Sequence, residues 1–193
     1  LTPYLAAQTA NKLQQYAIEN TRLGIPLFLA EEAPHGHMAI GTTVFPTGLG
    51  LAATWNNTLA EAIGQCIARQ IRQQGAHISF GPVLDLTRDP RWSRVEECMG
   101  EDPVLTAVIG ASMVKGLGGG KHSQPHATIP TLKHFVGYGT TEGGQNGCQT
   151  VGGLRDVCQN FLLPFEKAIQ AGATSVMTSY NSLDGVPSTG NRW

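Results

Sequence analysis

Four short apolar runs recur along the chain, and their length and composition predict β-strands. The runs are residues 25–30 (IPLFLA), 77–84 (HISFGPVL), 129–135 (IPTLKHF) and 175–180 (SVMTSY). Short runs with few polar interruptions are typical of strands that are covered on both faces, as in parallel sheets. The sequence therefore predicts four buried strands.

Helical periodicity occupies the intervals between these runs. Residues 57–75 carry an aliphatic side chain at every fourth position, begin at an asparagine cap and end at a glycine, a pattern that predicts a helix. A second helix is predicted to start at Asp102 and Pro103, an acidic cap followed by a first-turn proline, and to end after Lys115. A third is predicted over residues 156–171.

The order strand, helix, strand predicts parallel βα units, which occur in barrels and in doubly wound sheets. Long polar or glycine-rich segments follow the first three strands, at residues 31–56, 85–101 and 136–155. Extended loops after several successive strands favour a barrel whose functional face lies at the carboxyl ends of the strands. A complete (β/α)8 barrel takes about 250 residues. The 193 residues therefore predict a partial TIM-like barrel of about four βα units, one incomplete domain over residues 1–193.

Charge and cysteine content narrow the function classes. With 13 basic and 14 acidic residues and a net charge of −1, the chain lacks the positive electrostatic potential that would attract nucleic acid or an anionic membrane. A neutral substrate is the expected partner. The four cysteines show no CxxC spacing, so neither a zinc site nor a redox motif is indicated. The first residues predict an amphipathic helix and not a signal peptide, and no apolar run is long enough to cross a membrane.

One histidine pair resembles the HxH motif of metal-dependent barrel hydrolases. His35 and His37 are separated by one residue, which places two imidazoles on one side of a strand. Proline and glycine surround the pair, and no third ligand follows at a convincing position. Hydrogen bonding within the loop is the simpler interpretation, and no metal or cofactor is expected.

Three polar segments lie where the barrel interpretation puts the functional face: residues 31–36 (EEAPHG), residues 84–102, and Lys133 with His134. Arginines among acids, as in the second segment, are usually held by carboxylates, so one arginine is expected to project inward. Adjacent residues on a regular strand point to opposite faces. Either Lys133 or His134 is therefore structural, or the backbone is distorted there, for which a non-proline cis peptide is one possible cause.

Five segments together resemble successive blocks of glycoside hydrolase family 3, the β-glucosidase and β-xylosidase family. They are IPLFLAEEAPHG, FPTGLGLAATWN, GPVLDLTRDPRWSRVEECMGEDP, TLKHFVGYG and SVMTSYNSLDGVP. They stand in the family's order and spacing from Arg22 to Trp193. The resemblance implies a retaining, exo-acting β-glucosidase that needs no cofactor and hydrolyses terminal β-D-glucosyl residues of an oligosaccharide or glucoside. It also implies a periplasmic or secreted protein.

The resemblance also implies roles for individual residues. Arg94, Lys133 and His134 match positions whose side chains hydrogen-bond the sugar hydroxyls in the −1 subsite. Tyr180 is expected to lie beside the nucleophile, and Met177 to line the pocket. The resemblance further implies a cis peptide around the Lys-His-Phe element.

Glu32 departs from the common family pattern. Many members have an aspartate here, and some xylosidase-like members have glutamate. A carboxylate at this position can accept hydrogen bonds from two neighbouring hydroxyls. The longer side chain competes for the space of a hexose C6 hydroxymethyl, so a β-xylosidase is the alternative function.

The family's catalytic carboxyl groups are expected beyond this chain. Retaining hydrolysis needs two carboxyl groups about 5 to 5.5 Å apart. The family's nucleophile is an aspartate in an SDW-like block after Trp193, and its acid/base glutamate lies further on, in a C-terminal domain. Asp184 belongs to a turn sequence, LDGVP. The chain is thus expected to hold sugar ligands, to be inactive alone, and to need the remaining barrel and the C-terminal domain. A non-catalytic sugar-binding relative is the alternative from another class.

Overall fold

The computed structural model describes residues 1–193 and has a four-stranded parallel sheet at its centre. The strands are ordered as in the chain, and each pairs in parallel with the next. Their bounds are β1 (Ala30–Glu32), β2 (Ile78–Val83), β3 (Ile129–Phe135) and β4 (Ser175–Thr178). This arrangement confirms the predicted α/β fold of successive βα units, as an open part of a barrel.

Helices connect the strands. They are α1 (Pro3–Asn20), α2 (Gly48–Ala52), α3 (Asn57–Gln73), α4 (Pro103–Leu117), α5 (Leu154–Asp156) and α6 (Leu162–Gln170). A π-helical turn, Val157–Phe161, joins α5 to α6. No helix combines the length and the apolar character that crossing a bilayer requires.

The caps predicted from the sequence define the starts of the two central helices. Asn56 accepts a hydrogen bond at 3.0 Å from the backbone N–H of Leu59 at the start of α3. Asp102 accepts one at 2.7 Å from the N–H of Leu105 at the start of α4. These side chains pair backbone donors that have no partner within the helix, so both predicted helix starts are confirmed.

Two glycines allow α3 and α4 to approach closely. A Cβ on Gly64 would meet the carbonyl oxygen of Met113 at 2.7 Å, and one on Gly116 would meet that of Glu61 at 2.1 Å. Side chains at these positions are sterically excluded, so the backbones themselves are in contact. This contact packs the C-terminal part of α4 directly against α3.

The core consists of three apolar clusters. Side chains of α3 and α4, including Ile67 and Met113, form the first. Leu132 of β3 and Phe165 of α6 belong to the second, which packs the helix onto the sheet. The third is small and joins the loops that follow β2 and β3: Val83, Trp92, Cys98 and Tyr138.

The predicted first strand, residues 25–30, is wrong in position and in burial. The strand begins only at Ala30, and Ile25 and Phe28 are exposed. The backbone of Leu27 donates to and accepts from the side chain of Gln14 on α1, both at 2.8 Å. Helix α1 therefore satisfies both backbone groups of Leu27 in place of a strand partner.

The predicted fourth strand is also shorter and less buried than expected. It covers Ser175–Thr178 and not residues 175–180, and Val176 is exposed. β4 pairs only with β3, so it is an edge strand in this sheet. β2 and β3, which have neighbours on both sides, agree with the predicted burial.

The turn predicted around Asp184 is present. Strands β5 (Ser182–Leu183) and β6 (Val186–Pro187) form an antiparallel hairpin. Asp184 and Gly185 both have positive φ, at 52° and 76°, as a type I′ turn requires. Asp184 is therefore explained by the hairpin.

Candidate functional site

The carboxyl ends of the parallel strands bring polar residues to one edge of the sheet. Glu32 ends β1, Asp85 follows β2, and Lys133 and His134 lie near the end of β3. Val83 is in register with Lys133. Open α/β sheets bind ligands at this edge. The sequence-predicted residues Glu32, Lys133 and His134 are therefore neighbours.

Glu32 and Lys133 form an ion pair across this edge. The Lys133 ammonium donates to Glu32 Oε2 at 2.7 Å. The lysine side chain is 1% exposed, whereas the glutamate is 54% exposed. An ammonium carries three N–H donors and a carboxylate two acceptor oxygens. The pair therefore keeps further donors and acceptors available to a ligand.

His134 is held by a carboxylate that the sequence did not single out. Asp85 Oδ2 lies 2.7 Å from His134 Nδ1 and also accepts the backbone N–H of His134 at 3.2 Å. Both side chains are buried. The peptide bond between Lys133 and His134 is cis, as the family resemblance implied. Both residues point into the protein at the end of β3 and neither is exposed.

Arg94 lies in the loop after β2, where a carboxylate holds it in place. Its Nε and a terminal nitrogen donate to the two oxygens of Glu97 at 2.6 and 2.9 Å. These hydrogen bonds raise the pKa of the Arg94 guanidinium. Burial raises the pKa of Glu97, but the hydrogen bonds and charge of Arg94, with the charge of Lys133, bring it below its ordinary value. The three groups thus share one electrostatic environment.

Each arginine of this loop has a carboxylate partner, as expected from the sequence. Arg88 pairs with Asp156, and Arg91 pairs with Asp89. Arg91 is 70% exposed at its side chain, whereas Arg94 is 22% exposed. Arg94 is therefore the arginine that projects inward.

Tyr138 connects the predicted ligands through its ring. Its centroid lies 5.1 Å from that of His134 and 5.9 Å from that of Tyr180, both edge-to-face. The Arg94 guanidinium lies 5.7 Å from the same ring. Three predicted site residues from three different segments therefore surround one tyrosine.

The Tyr138 ring is itself fixed from behind. Trp92 packs edge-to-face against it at 4.9 Å. The Tyr138 hydroxyl and the Trp92 indole both donate to the side-chain oxygen of Asn146. The aromatic pair is thus held by packing and by a shared acceptor.

The remaining two predicted residues lie on or after β4. Tyr180 is 72% exposed and contacts the site through Tyr138. Met177 is half-buried on β4, and no hydrogen bond or aromatic contact joins it to the other site residues. The structure therefore brings Tyr180 to the site and leaves Met177 on the neighbouring strand.

Sequence reasoning missed Asp85, Glu97 and Tyr138. Each had a usable signal: Asp85 directly follows a predicted strand, Glu97 comes three residues after Arg94, and Tyr138 four after His134. Each of the three contacts a predicted site residue. Asp85 binds His134, Glu97 binds Arg94, and the Tyr138 ring packs against His134.

The two histidines considered as a metal motif have different surroundings in the structure. His35 Nδ1 lies 3.2 Å from the carbonyl oxygen of Phe45, a hydrogen bond within the loop. His37 is buried, and neither ring nitrogen has a partner. No three side chains of histidine, cysteine, aspartate or glutamate are grouped so that they would hold a metal ion.

Comparison with known proteins gives a family match over the whole chain. The sequence profile of the glycosyl hydrolase family 3 N terminal domain matches residues 1–193. A periplasmic β-glucosidase of Salmonella typhimurium is 33% identical over 186 residues, which cover 96% of this chain and 24% of the relative. A putative β-xylosidase of Formosa agariphila is 36% identical over 194 residues, with 99% and 26% covered.

Solved structures of β-glucosidases also match this chain. The crystal structure of a β-glucosidase from Listeria innocua in complex with glucose matches with a TM-score of 0.91 and 36% identity, covering 97% of this chain and 26% of that chain. The chain therefore spans about a quarter of the length of the proteins that it matches.

Proposed function

The chain belongs to glycosyl hydrolase family 3, and from this membership we propose that it supplies the −1 subsite of a retaining, exo-acting β-glucosidase. One observation carries the proposal. At the carboxyl ends of the strands lie four polar side chains: Glu32, Arg94, Lys133 and His134. These groups combine donors with acceptors, as a polyhydroxylated ligand requires. The glucose complex of the Listeria innocua relative supports a glucosyl residue as that ligand.

The proposed ligands contribute to catalysis by binding the transition state. Charged hydrogen bonds to sugar hydroxyls strengthen as the ring acquires oxocarbenium character, and such bonds lower the barrier. We assign Arg94, Lys133 and His134 to hydroxyl binding and Glu32 to accepting two hydroxyls. Met177 and Tyr180 are proposed to line the same pocket, with Tyr180 next to the nucleophile.

The bond-breaking carboxyl groups are proposed to lie elsewhere in the parent protein. We infer that residues 1–193 are an incomplete barrel domain, that the next strand carries the nucleophilic aspartate, and that a C-terminal domain carries the acid/base glutamate. The aspartate attacks the anomeric carbon while the glutamic acid protonates the leaving oxygen. Relatives about four times as long support this division.

The test uses the intact parent protein and two nitrophenyl glycosides. We expect hydrolysis of the β-glucoside with the β-anomer of glucose as the first product detected by proton NMR. An α-anomer would contradict the retaining mechanism. Absence of turnover on the β-glucoside and the β-xyloside alike would favour a non-catalytic sugar-binding protein.

A β-xylosidase is the second candidate, and Glu32 is the observation that favours it. Its side chain reaches Lys133 at 2.7 Å, and we propose that its length takes up the space that a hexose C6 group needs. The relative in Formosa agariphila named as a putative β-xylosidase supports this alternative. A higher kcat/KM on the xyloside than on the glucoside would establish it.

The compartment proposed for the parent is the periplasm or the exterior of the cell. The periplasmic β-glucosidase among the relatives supports it. Cell fractionation followed by the nitrophenyl assay tests the proposal. Activity confined to the cytoplasmic fraction would contradict it.

A further inference from the structure

We propose that Asp85 is a positioning residue that fixes the orientation and the tautomer of His134, and thereby the hydrogen bond that His134 makes to the sugar. The inference rests on the proposed function, because it deepens the role of one residue of that site. It concerns a residue that touches no ligand itself.

The hydrogen bonds of Asp85 define which nitrogen of His134 carries a hydrogen. Asp85 Oδ2 lies 2.7 Å from His134 Nδ1, and a carboxylate can only accept. Nδ1 is therefore the donor of this pair. The same oxygen accepts the backbone N–H of His134 at 3.2 Å, so Asp85 holds the residue at two points.

This arrangement leaves the second ring nitrogen for a ligand. His134 Nε2 has no protein partner and is not among the buried, unpartnered atoms. The ring cannot rotate freely, because Tyr138 packs edge-to-face at 5.1 Å. In the neutral ring that donates from Nδ1, Nε2 is an acceptor for a hydroxyl hydrogen. Lys133 and Arg94 nearby can only donate.

Stability alone does not explain Asp85. Its side chain is completely buried, and Oδ1 has no hydrogen-bond partner. Removing a carboxylate from water without pairing both oxygens destabilises a fold. A buried carboxylate whose bonds all go to one residue of a ligand site indicates a role in that site.

Asp85→Leu and Asp85→Asn separate positioning from packing. Leucine fills a similar volume without a charge but offers no acceptor, so both hydrogen bonds to His134 are lost. A buried Nδ1 without an acceptor leaves the hydrogen of the neutral imidazole on Nε2, which becomes a donor facing the ligand. Asparagine keeps both hydrogen bonds when its amide oxygen takes the place of Oδ2, because that one oxygen accepts both hydrogens. The leucine variant thus reverses the polarity of one hydrogen bond, and the asparagine variant preserves it.

The test is a double-mutant cycle in the intact parent protein, with Asp85→Leu, His134→Ala and their combination, and with Asp85→Asn as the conservative variant. The measurement is kcat/KM on nitrophenyl β-glucoside, with melting temperature as the check on folding. We expect Asp85→Leu to lower kcat/KM by about 10- to 100-fold, the range for outer partners that orient a ligating histidine, and Asp85→Asn to retain most of it. In the His134→Ala background Asp85→Leu should alter kcat/KM by less than about twofold, as expected for groups that act as one unit.

Two controls make the outcomes distinct. Asp89→Asn changes a carboxylate of the same loop whose partner is Arg91 and should keep kcat/KM. In protein labelled with 15N at histidine, the resonance lost in His134→Ala should change from the Nδ1–H to the Nε2–H pattern in Asp85→Leu and keep the Nδ1–H pattern in Asp85→Asn.

Several results would overturn the proposal. An Asp85→Leu effect of equal size with and without His134, an unchanged 15N pattern in Asp85→Leu, or an Asp85→Asn loss as large as that of Asp85→Leu would assign Asp85 a purely structural role. Wild-type kcat/KM in Asp85→Leu, with His134→Ala impaired, would overturn this inference and leave the proposed function intact. Wild-type kcat/KM in His134→Ala would contradict the proposed function together with this inference.

Discussion

Lys133 and Glu32 are 101 residues apart in the chain and form a 2.7 Å ion pair with unequal burial. The ammonium is 1% exposed and the carboxylate 54% exposed. A buried cation needs its partner, whereas a half-exposed carboxylate remains solvated without one. The pair therefore leaves Glu32 free to interact with a ligand while it neutralises Lys133.

We expect Lys133→Met to impair substrate binding more than folding. Methionine fills the space of the lysine stem without a buried charge, and Glu32, which is 54% exposed, stays solvated without its partner. The variant should raise KM for nitrophenyl β-glucoside by about tenfold or more, the loss of one charged hydrogen bond. Its melting temperature should stay at or above that of the wild type. Lys115→Met, on the exposed face of α4, is the matched control. A destabilised variant with unchanged KM would assign Lys133 to the fold alone.

Glu32→Asp tests which sugar the site prefers. The shorter side chain withdraws from the space of a hexose C6 group, and one methylene is worth about 10- to 200-fold in discrimination. The ratio of kcat/KM for glucoside to that for xyloside should therefore rise by about tenfold. Glu31→Asp changes the exposed neighbour and should leave the ratio unchanged. An unchanged ratio in Glu32→Asp would remove Glu32 from sugar selection.

Glu97→Gln tests the support of Arg94 through its pH dependence. Despite the opposing effect of burial, Arg94 holds the pKa of Glu97 below its ordinary value of 4.5. A carboxyl with a lowered folded pKa stabilises the fold above its unfolded pKa, and this contribution is lost as pH falls through the folded pKa. The melting temperature of Glu97→Gln should thus lie below that of the wild type at neutral pH. The difference should shrink as pH falls below 4.5.

Glu96→Gln is the control for that experiment. Glu96 is the exposed neighbour of Glu97 and takes no part in the ion pair between Arg94 and Glu97. It should show no difference from the wild type at any pH. A difference between Glu97→Gln and the wild type that persists unchanged at low pH would contradict an ionic role for Glu97.

The 193 residues expressed alone should not hydrolyse nitrophenyl β-glucoside. β1 and β4 each pair on one side only, and exposed strand edges favour association with other chains. Calorimetry and size-exclusion chromatography, run beside the activity assay, check this expectation. A fragment that melts cooperatively as a monomer and turns over the glucoside would contradict it.

Sequence patterns predicted best the strands that have neighbours on both sides. β3 was predicted residue for residue, at Ile129–Phe135, because it pairs with β2 and β4 and is buried over most of its length. The first strand was misplaced because IPLFLA is apolar, although the backbone of Leu27 within it pairs with Gln14 of α1. Apolar content alone does not indicate which partner covers a segment.

In the site, too, only residues with a local sequence signal could be predicted. Arg94, Lys133 and His134 could be carried over by resemblance because their motifs are local in sequence. Asp85 acts on His134 from 49 residues away, and nothing in the pattern around Asp85 indicates that distance. Partners of this kind become apparent only when the strands are placed side by side.

Binding of the terminal sugar by this chain is tested most directly by Arg94→Lys in the intact parent. The matched control is Arg91→Lys, because Arg91 pairs with Asp89 through two nitrogens, as Arg94 pairs with Glu97, but outside the site. Lysine cannot reproduce the two-pronged geometry, so Arg94→Lys should lower kcat/KM on nitrophenyl β-glucoside by about 10- to 100-fold, as the loss of a charged hydrogen bond implies. Arg91→Lys should stay within about twofold of the wild type. Equal effects of the two substitutions would contradict the assignment of the −1 subsite to this chain.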